Sequence, residues 1–225
     1  DRGRSHVKLF KFAWSYLKTL FRMWQLRNSV FSADYDERAF RSLIPLQRYW
    51  HRERYRIIME YLEGKDSILD IGCGSSRIIQ DLPEAVGLDI LLRTLRYLRD
   101  KHRRLVQATL EALPFKDGSF ETVICSEVIE HIPGKGTGFS EMGRVLKEGG
   151  ILILGTPDYS KRLWRVLERI YGMILPGAYA HQHITHYTRR ELERLLSSFG
   201  FDILECRSVG FCEMIFKARK QGRSP

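Results

Sequence analysis

The chain is poor in features that mark secreted or membrane-spanning proteins. Its 225 residues include only four cysteines, with no C-x-x-C pair and no regular framework, which favours reduced thiols in a cytoplasmic protein. No uninterrupted apolar run approaches the roughly 20 residues of a transmembrane helix. The N-terminal apolar stretch is broken by lysines and lacks the small-residue cleavage site of a signal peptide. We therefore predict a cytoplasmic location.

Acidic residues are scarce as well, above all near the N-terminus. The formal net charge is +10, and residues 1–30 contribute more than half of it, because they hold seven Lys or Arg residues and a single acid. Polar residues recur there at three- and four-residue steps, which makes one stripe on a helix: Lys8, Lys11, Ser15, Lys18, Arg22 and Gln25. Apolar and aromatic residues form the remaining face.

An aromatic-rich face beside a basic stripe is typical of helices that lie in a membrane surface. The pattern is equally consistent with two arrangements of residues 7–27. One is contact with a membrane, at its inner face, and the other is packing of the same face on the rest of the protein or on a second subunit. We predict an appendage over residues 1–36, made of this helix and a polar joint, followed by one domain over 37–225.

The strongest chemical signal lies in two short segments. An apolar run ends in Asp70 and breaks into a Gly72-x-Gly74 turn, and nineteen residues after Asp70 a second apolar run ends in Asp89. Ligands of open parallel sheets bind where the strands end, and an acid about twenty residues past a Gly-rich turn can hold ribose hydroxyls. The two segments therefore predict a cofactor that contains adenosine.

Two residues favour S-adenosylmethionine over NAD. A dinucleotide turn reads G-x-G-x-x-G, but Arg77 stands where the third glycine would be. Asp70, directly before the turn, suits a cationic ammonium group better than a pyrophosphate. S-adenosylmethionine has such an amino acid end and carries no phosphate.

With these residues the chain resembles the class I S-adenosylmethionine-dependent methyltransferases (methyltransferase type 11), of the broad type that includes ubiquinone and menaquinone biosynthesis enzymes. The resemblance covers roughly residues 50 to 217. Its matching segments come in order: Leu69-Asp70-Ile71-Gly72-Cys73-Gly74, Gly87-Leu88-Asp89, Glu111-Ala112-Leu113-Pro114-Phe115, Val123-Ile124-Cys125-Ser126-Glu127-Val128-Ile129-Glu130-His131, Glu141-Met142-Gly143-Arg144-Val145-Leu146, Thr156-Pro157-Asp158 and His186-Tyr187-Thr188.

Strands and helices alternate from residue 67 to 156, which predicts an α/β fold with a doubly wound parallel sheet and helices on both faces. The predicted strands are 67–72, 85–90, 104–108, 120–126 and 150–156, and the helices between them are 75–82, 91–102 and 137–147. Runs 201–207 and 211–217 follow as a closely spaced pair. The resemblance implies a Rossmann-like seven-stranded sheet, mostly parallel, with an antiparallel last strand.

The resemblance also implies roles for single residues. Asp70 would face the ammonium group, the backbone of Gly72, Cys73 and Gly74 would pass the methionine portion, and Asp89 would bind the ribose hydroxyls. The remaining cofactor contacts are Ile90 and Leu110 at the adenine, Thr109 at the adenine amine, and Ser126 near the methionine end. Thr109 stands where many relatives have Asp, and Ser76 where many have Gly.

Residues 158–187 interrupt the alternation and are too many for a simple connection, so we interpret them as a lid and acceptor-binding insert. His131 and His186 are the candidate catalytic residues, with His131 as general base or as a structural residue of its loop. The spacing of His181, His183 and His186 suggests a metal cluster, but no nearby Cys or Asp completes it. We predict no metal.

These features favour an S-adenosylmethionine-dependent methyltransferase with a small, lipophilic, quinone- or lipid-like acceptor. No Asn-Pro-Pro-Tyr or Asp-Pro-Pro-Tyr motif follows the fourth strand, which disfavours methylation of a base amino group. RNA methylation, prompted by the positive charge, and a non-catalytic cofactor-binding interaction subunit are the alternatives. The sequence leaves the acceptor atom and the oligomeric state open.

Overall fold

The computed structural model describes residues 3–29, 32–62, 64, 67–174 and 183–222. Its strands are β1 (Ile68–Ile71), β2 (Val86–Asp89), β3 (Leu105–Gln107), β4 (Phe120–Ser126), β5 (Leu146–Pro157), β6 (Phe201–Val209) and β7 (Glu213–Lys220). The helices are α1 (Gly3–Arg27), α2 (Tyr35–Phe40), α3 (Pro45–Tyr61), α4 (Arg77–Asp81), α5 (Leu92–Leu98), α6 (Thr137–Val145), α7 (Arg162–Ile174) and α8 (Arg189–Ser198).

All seven strands form one sheet, in the order β3-β2-β1-β4-β5-β7-β6. Strands β1 to β5 pair in parallel, whereas β7 runs antiparallel to both β5 and β6. The order reverses between β1 and β4, so a crevice opens at their carboxyl ends. The predicted Rossmann-like fold with an antiparallel last strand is confirmed.

Side chains of the central strands alternate between two hydrophobic cores. Along β5, Leu152 and Leu154 point into one core, and Ile151 and Ile153 point into the other. This is the period of two that a strand imposes. Burial of both faces explains why the central strands are continuous apolar runs. Because both faces are covered, a ligand can reach the sheet only at the ends of its strands.

The observed elements differ from the predicted ones chiefly at one junction. Helix α6 ends at Val145 and β5 already begins at Leu146, so the predicted boundaries at 147 and 150 are wrong. A register shift in the pairing of β4 with β5 accommodates the extra residues, and Gly149 adopts φ +73° there. Helix α8 begins after the N-cap Thr188, whose hydroxyl accepts from the Glu191 N–H.

Helix α2 is absent from the prediction, which treated this stretch as a polar joint. It packs against α3 and α4, and Tyr35 and Ala39 are buried. The predicted domain boundary between residues 36 and 37 therefore falls inside a helix. We propose that the domain begins before α2.

Helix α1 leaves its apolar face uncovered within the described part of the chain. Eleven large apolar side chains are between 39% and 75% exposed: Leu9, Phe10, Phe12, Trp14, Tyr16, Leu17, Leu20, Phe21, Met23, Trp24 and Leu26. Packing on the protein's own core, one of the predicted alternatives, does not occur there. Among the described residues, no helix is both long and apolar enough to cross a membrane.

Candidate cofactor and acceptor site

A cleft of about 620 Å³ lies at the carboxyl ends of β1, β2 and β4. This is the crevice that the reversal of strand order creates. All nine residues predicted to bind the cofactor line it: Asp70, Gly72, Cys73, Gly74, Asp89, Ile90, Thr109, Leu110 and Ser126. Their individual contacts with a cofactor remain predictions.

The turn after β1 accepts only glycine at two positions. Gly72 has φ +67° and Gly74 has φ +52°, a region that side chains disfavour. A Cβ at Gly72 would overlap the Val128 side chain, and a Cβ at Gly74 would overlap Asp36 Oδ2. The bare backbone therefore forms one wall of the cleft.

Asp89 ties this turn to the end of β2. Its Oδ2 accepts from the Gly74 N–H at 2.9 Å, and its Oδ1 accepts from the Leu91 N–H at 2.7 Å. Burial raises the pKa of Asp89, and these backbone hydrogen bonds lower it. Each carboxylate oxygen keeps a second lone pair, so Asp89 can accept further hydrogen bonds from ribose hydroxyls.

Asp70 is a buried acid in the wall of the cleft. The residue is 4% exposed, and its Oδ2 has no hydrogen-bond partner among the described residues. Burial raises the pKa of Asp70 to about 8, with smaller contributions from Asp89 and Asp36. A carboxylate oxygen buried without a partner is unfavourable, and an ammonium group in the cleft would supply the missing donor. The site thus fits the amino acid end of S-adenosylmethionine.

Helix α2 holds the Gly-rich turn from outside the sheet. Asp36 Oδ2 accepts from the Ser75 N–H at 3.0 Å, and the Asp36 N–H donates to the Ser75 hydroxyl at 3.1 Å. Burial raises the pKa of Asp36, and the bond from the Ser75 backbone lowers it. Sequence analysis missed this contact because 39 residues separate the partners and no motif links them.

Glu127 is a second cleft residue that sequence analysis left without a role. It adopts φ +59°, an uncommon conformation for a non-glycine residue that is often found at functional sites. Its Oε2 lies 3.3 Å from Arg54, whose guanidinium also pairs with the buried Glu213 at 2.7 Å. Burial raises the pKa of Glu127 well above its usual range, and Arg54 opposes the shift. The sequence signal that could have identified Glu127 is its position as an acidic residue directly after strand β4.

The predicted acceptor side of the cleft contains the 3₁₀ turn Ile129–His131 after β4. His131 lines the cleft, and its place near the transferred methyl group stays a prediction. The main-chain carbonyl of Glu130 accepts from Ile184 N and Thr185 N at 2.8 and 2.9 Å. These bonds hold the end of the predicted insert against the turn, and Ile184 also reaches the cleft wall.

The predicted catalytic residue His186 does not line the cleft. It is exposed and stacks on Tyr159 with a centroid distance of 4.0 Å. His183 lies next to His131 instead, with 5.0 Å between ring centroids, and His181 falls outside the described residues. Since residues 183 to 187 are irregular, no periodicity in the sequence shows which histidine points inward.

Comparisons with known proteins agree with this geometry. A family described as a methyltransferase domain matches residues 69–154. A candidate methyltransferase of Encephalitozoon cuniculi is 31% identical over 183 residues, which cover 79% of this chain and 84% of that protein. The ubiquinone/menaquinone biosynthesis C-methyltransferase of Xylella fastidiosa strain 9a5c is 28% identical over 194 residues, covering 73% and 76% of the two chains.

Solved structures support the fold. An S-adenosylmethionine-dependent methyltransferase structure from Thermotoga maritima superposes with a TM-score of 0.68 at 20% identity, over 82% of this chain and 94% of that one. The cleft, its buried acid Asp70 and the relative at 31% identity all point to one family. The chain therefore belongs to the class I S-adenosylmethionine-dependent methyltransferases, and it is an enzyme that takes its methyl group from S-adenosylmethionine.

Proposed function

We propose that the protein methylates a small lipophilic acceptor, quinone- or lipid-like, at the surface of a membrane. One observation carries the proposal: two amphipathic helices, α1 and α7, expose apolar faces beside basic residues. On α7 the exposed apolar side chains are Leu163, Val166, Ile170 and Met173, each between 43% and 74% exposed. Lys161, Arg162, Arg165 and Arg169 interleave with them.

Charge complementarity favours an anionic lipid surface as the partner of these helices. Helix α1 carries Lys8, Lys11, Lys18, Arg22 and Arg27 without an acidic residue. Lys18 lies 5.6 Å from the centroid of the Trp14 ring, so cationic and aromatic groups share one border of the helix. Such borders suit the headgroup level of a bilayer.

Helix α7 connects the exposed surface with the cleft. Trp164 packs against Trp50 of α3 with a centroid distance of 5.9 Å, and the chain beyond α7 returns to the cleft at Ile184. An acceptor drawn from a membrane would thus meet an apolar helix before it reaches His131. One relative is named as a ubiquinone/menaquinone biosynthesis enzyme, which is consistent with an isoprenoid acceptor.

For methyl transfer, the main task of this chain is to align the acceptor with the methyl group of the cofactor. Bound S-adenosylmethionine supplies a methyl group on a positively charged sulfur. In this proposal Asp70 and Asp89 hold the cofactor's two ends, the Gly72–Gly74 backbone allows close approach, and the insert excludes water. His131 accepts the proton of a hydroxyl acceptor, because an imidazole can act as a base near neutral pH.

Vesicle flotation tests the membrane contact. We expect the protein to float with phosphatidylcholine vesicles that contain phosphatidylglycerol, and to be released by salt. Replacing Phe10 and Phe21 by Ser should reduce binding at least tenfold, since each buried ring contributes roughly 1.5–3 kcal/mol. The control is Phe211→Ser, which removes a ring that is 83% exposed from the β6–β7 connection.

Product analysis tests the acceptor class. The protein is incubated with labelled S-adenosylmethionine and either a lipid and quinone extract or total RNA, and methylated products are identified by mass spectrometry. Label in the lipid fraction supports the proposal. Label in RNA, together with salt-sensitive retention on RNA but not on vesicles, would contradict it and favour the RNA methyltransferase alternative.

A further inference from the structure

We propose that Glu130, His131 and His183 form a binding site for a divalent transition-metal ion at the acceptor side of the cleft. One ligand atom from each of the three lies within 4.8 Å of the others. A cation held at about 2.0–2.2 Å needs its donors roughly 3 Å apart, so metal binding would draw these three side chains closer together. This set differs from the cluster of His181, His183 and His186 that the spacing suggested, and the proposal departs from the prediction of no metal.

Glu130 gives the first independent observation. Glu130 is 0% exposed, and its Oε1 has no hydrogen-bond partner among the described residues. The other oxygen, Oε2, accepts from the Thr156 hydroxyl at 3.1 Å. One oxygen is thus anchored to β5, and the other is buried beside two imidazoles without a donor of its own, an arrangement that a cation would satisfy.

His183 gives the second observation, because a carboxylate fixes its ring from behind. Its Nδ1 lies 2.8 Å from Glu168 Oε1, and the Tyr159 hydroxyl donates to the same oxygen at 2.8 Å. A neutral imidazole that donates from Nδ1 carries its lone pair on Nε2. Metal-ligating histidines are usually held by such a carboxylate, which sets the tautomer and increases ligand basicity. We assign Glu168 as a positioning residue.

His131 connects this cluster with the cleft, because it belongs to both. Two imidazoles and one carboxylate leave further coordination positions, and this donor set suits Fe²⁺, Mn²⁺, Co²⁺ or Zn²⁺ better than Mg²⁺.

The role we infer for the metal rests on the proposed function. With the metal bound, the lone pair of His131 is used in coordination, so His131 does not act as the base. An acceptor hydroxyl bound to the metal instead loses its proton to solvent, because the cation lowers the pKa of that hydroxyl. Its oxygen then forms the bond to the methyl carbon while the carbon–sulfur bond breaks, and that electron pair stays on sulfur. The atoms and charges balance without an oxidant or reductant.

Titration of the chelator-treated protein with Co²⁺ tests the site directly. We expect visible d–d absorption bands that saturate at one equivalent, without the intense near-ultraviolet charge transfer that cysteine ligands give. Glu130→Gln and His183→Gln should abolish the bands. Glu168→Gln should keep their shape but weaken binding by about 10–100-fold.

His186→Gln is the matched control, since this neighbouring histidine lies outside the trio, and it should bind Co²⁺ as the wild type does. Calorimetric titration with S-adenosylmethionine checks that each variant is folded. Absence of bands in the wild type, unchanged bands in both folded ligand variants, or loss of bands in His186→Gln would each overturn the site. Lipid methylation is not a readout here, so failure of the proposed acceptor would leave this result intact.

Discussion

Buried acids dominate the chemistry of this protein at the scale of single residues. Asp36, Asp70, Asp89 and Glu127 all lie in one cleft, and burial raises the pKa of each. Carboxylates gathered in this way destabilise the empty protein, and a cation between them removes part of that cost. The cofactor site is therefore a place where stability and ligand binding oppose each other.

Asp70→Asn should stabilise the cofactor-free protein while it weakens cofactor binding. The pKa of Asp70 is about 8 in the folded protein against an ordinary 3.8, so the folded state holds a proton that the unfolded state releases. The free energy of unfolding therefore falls as pH rises from about 4 to 8, and the full loss persists above 8. Asparagine removes this dependence and should stabilise the cofactor-free protein by on the order of 3 kcal/mol at pH 8.

Thermal unfolding at pH 5, 7 and 9 measures that difference, which should grow with pH and then level off. The control Asp100→Asn replaces an exposed acid and should change the melting temperature little at any pH. Asp70→Asn should at the same time weaken S-adenosylmethionine binding by about 10–100-fold, since a hydrogen bond between charged groups contributes roughly 1.5–3 kcal/mol. A variant that is destabilised at pH 9 would contradict this account.

Asp89 and His131 should separate binding from turnover. Asp89→Ala removes the predicted ribose ligand and two hydrogen bonds at the Gly-rich turn, so the cofactor Kd should rise by about 100-fold. His131→Ala should change that Kd less than about threefold and lower kcat instead. Calorimetry measures the cofactor Kd, and steady-state kinetics measure kcat. A larger rise in Kd for His131→Ala than for Asp89→Ala would contradict the assignment.

At the scale of elements, helix α2 lines the cleft, whereas helix α7 packs on α3. Helix α2 is hydrogen-bonded to the turn after β1 through Asp36. Helix α7 packs on α3 through the contact of Trp164 with Trp50. Trp164 also lies 6.4 Å from Tyr159 and 6.3 Å from His183, measured between ring centroids. Together with the contact between Glu168 and His183, these aromatic contacts connect α7 to His183.

Trp164→Ala should therefore loosen the insert without disturbing the cofactor. Aromatic pairs contribute roughly 0.5–1.5 kcal/mol beyond their buried area, so the KM for the acceptor should rise by about 3–10-fold. The Kd for S-adenosylmethionine should stay unchanged in calorimetry. Trp164→Phe keeps a ring at this position and should restore most of the acceptor affinity; a variant that loses cofactor binding instead would contradict the assignment of α7 to the acceptor.

At the scale of the whole molecule, cofactor binding should increase the free energy of unfolding. A ligand that binds only the folded state, at 100 times its Kd, stabilises a protein by about 2.7 kcal/mol, and 1 kcal/mol moves the melting temperature of a domain this size by roughly 2–4 °C. We thus expect S-adenosylmethionine to raise the melting temperature by roughly 5–10 °C. Differential scanning fluorimetry measures the shift, and Asp89→Ala under the same conditions should show almost none.

What the sequence determined by itself is local along the chain. Gly72, Gly74 and the spacing of Asp70 from Asp89 identify the cofactor because one strand–turn–helix–strand unit carries all of them, and the geometry of that unit is fixed by backbone chemistry. The alternation of apolar runs likewise determined the sheet, whose strands must bury both faces.

Only the tertiary structure decided which distant groups meet. Asp36 reaches Ser75, Arg54 joins Glu127 to Glu213, and His183 rather than His186 lies beside His131. These contacts join segments that share no period, and burial selects them after the sheet has brought its loops to one edge. Side-chain direction in an irregular segment depends on those neighbours, which is why the acceptor side of the cleft was the part that the sequence left open.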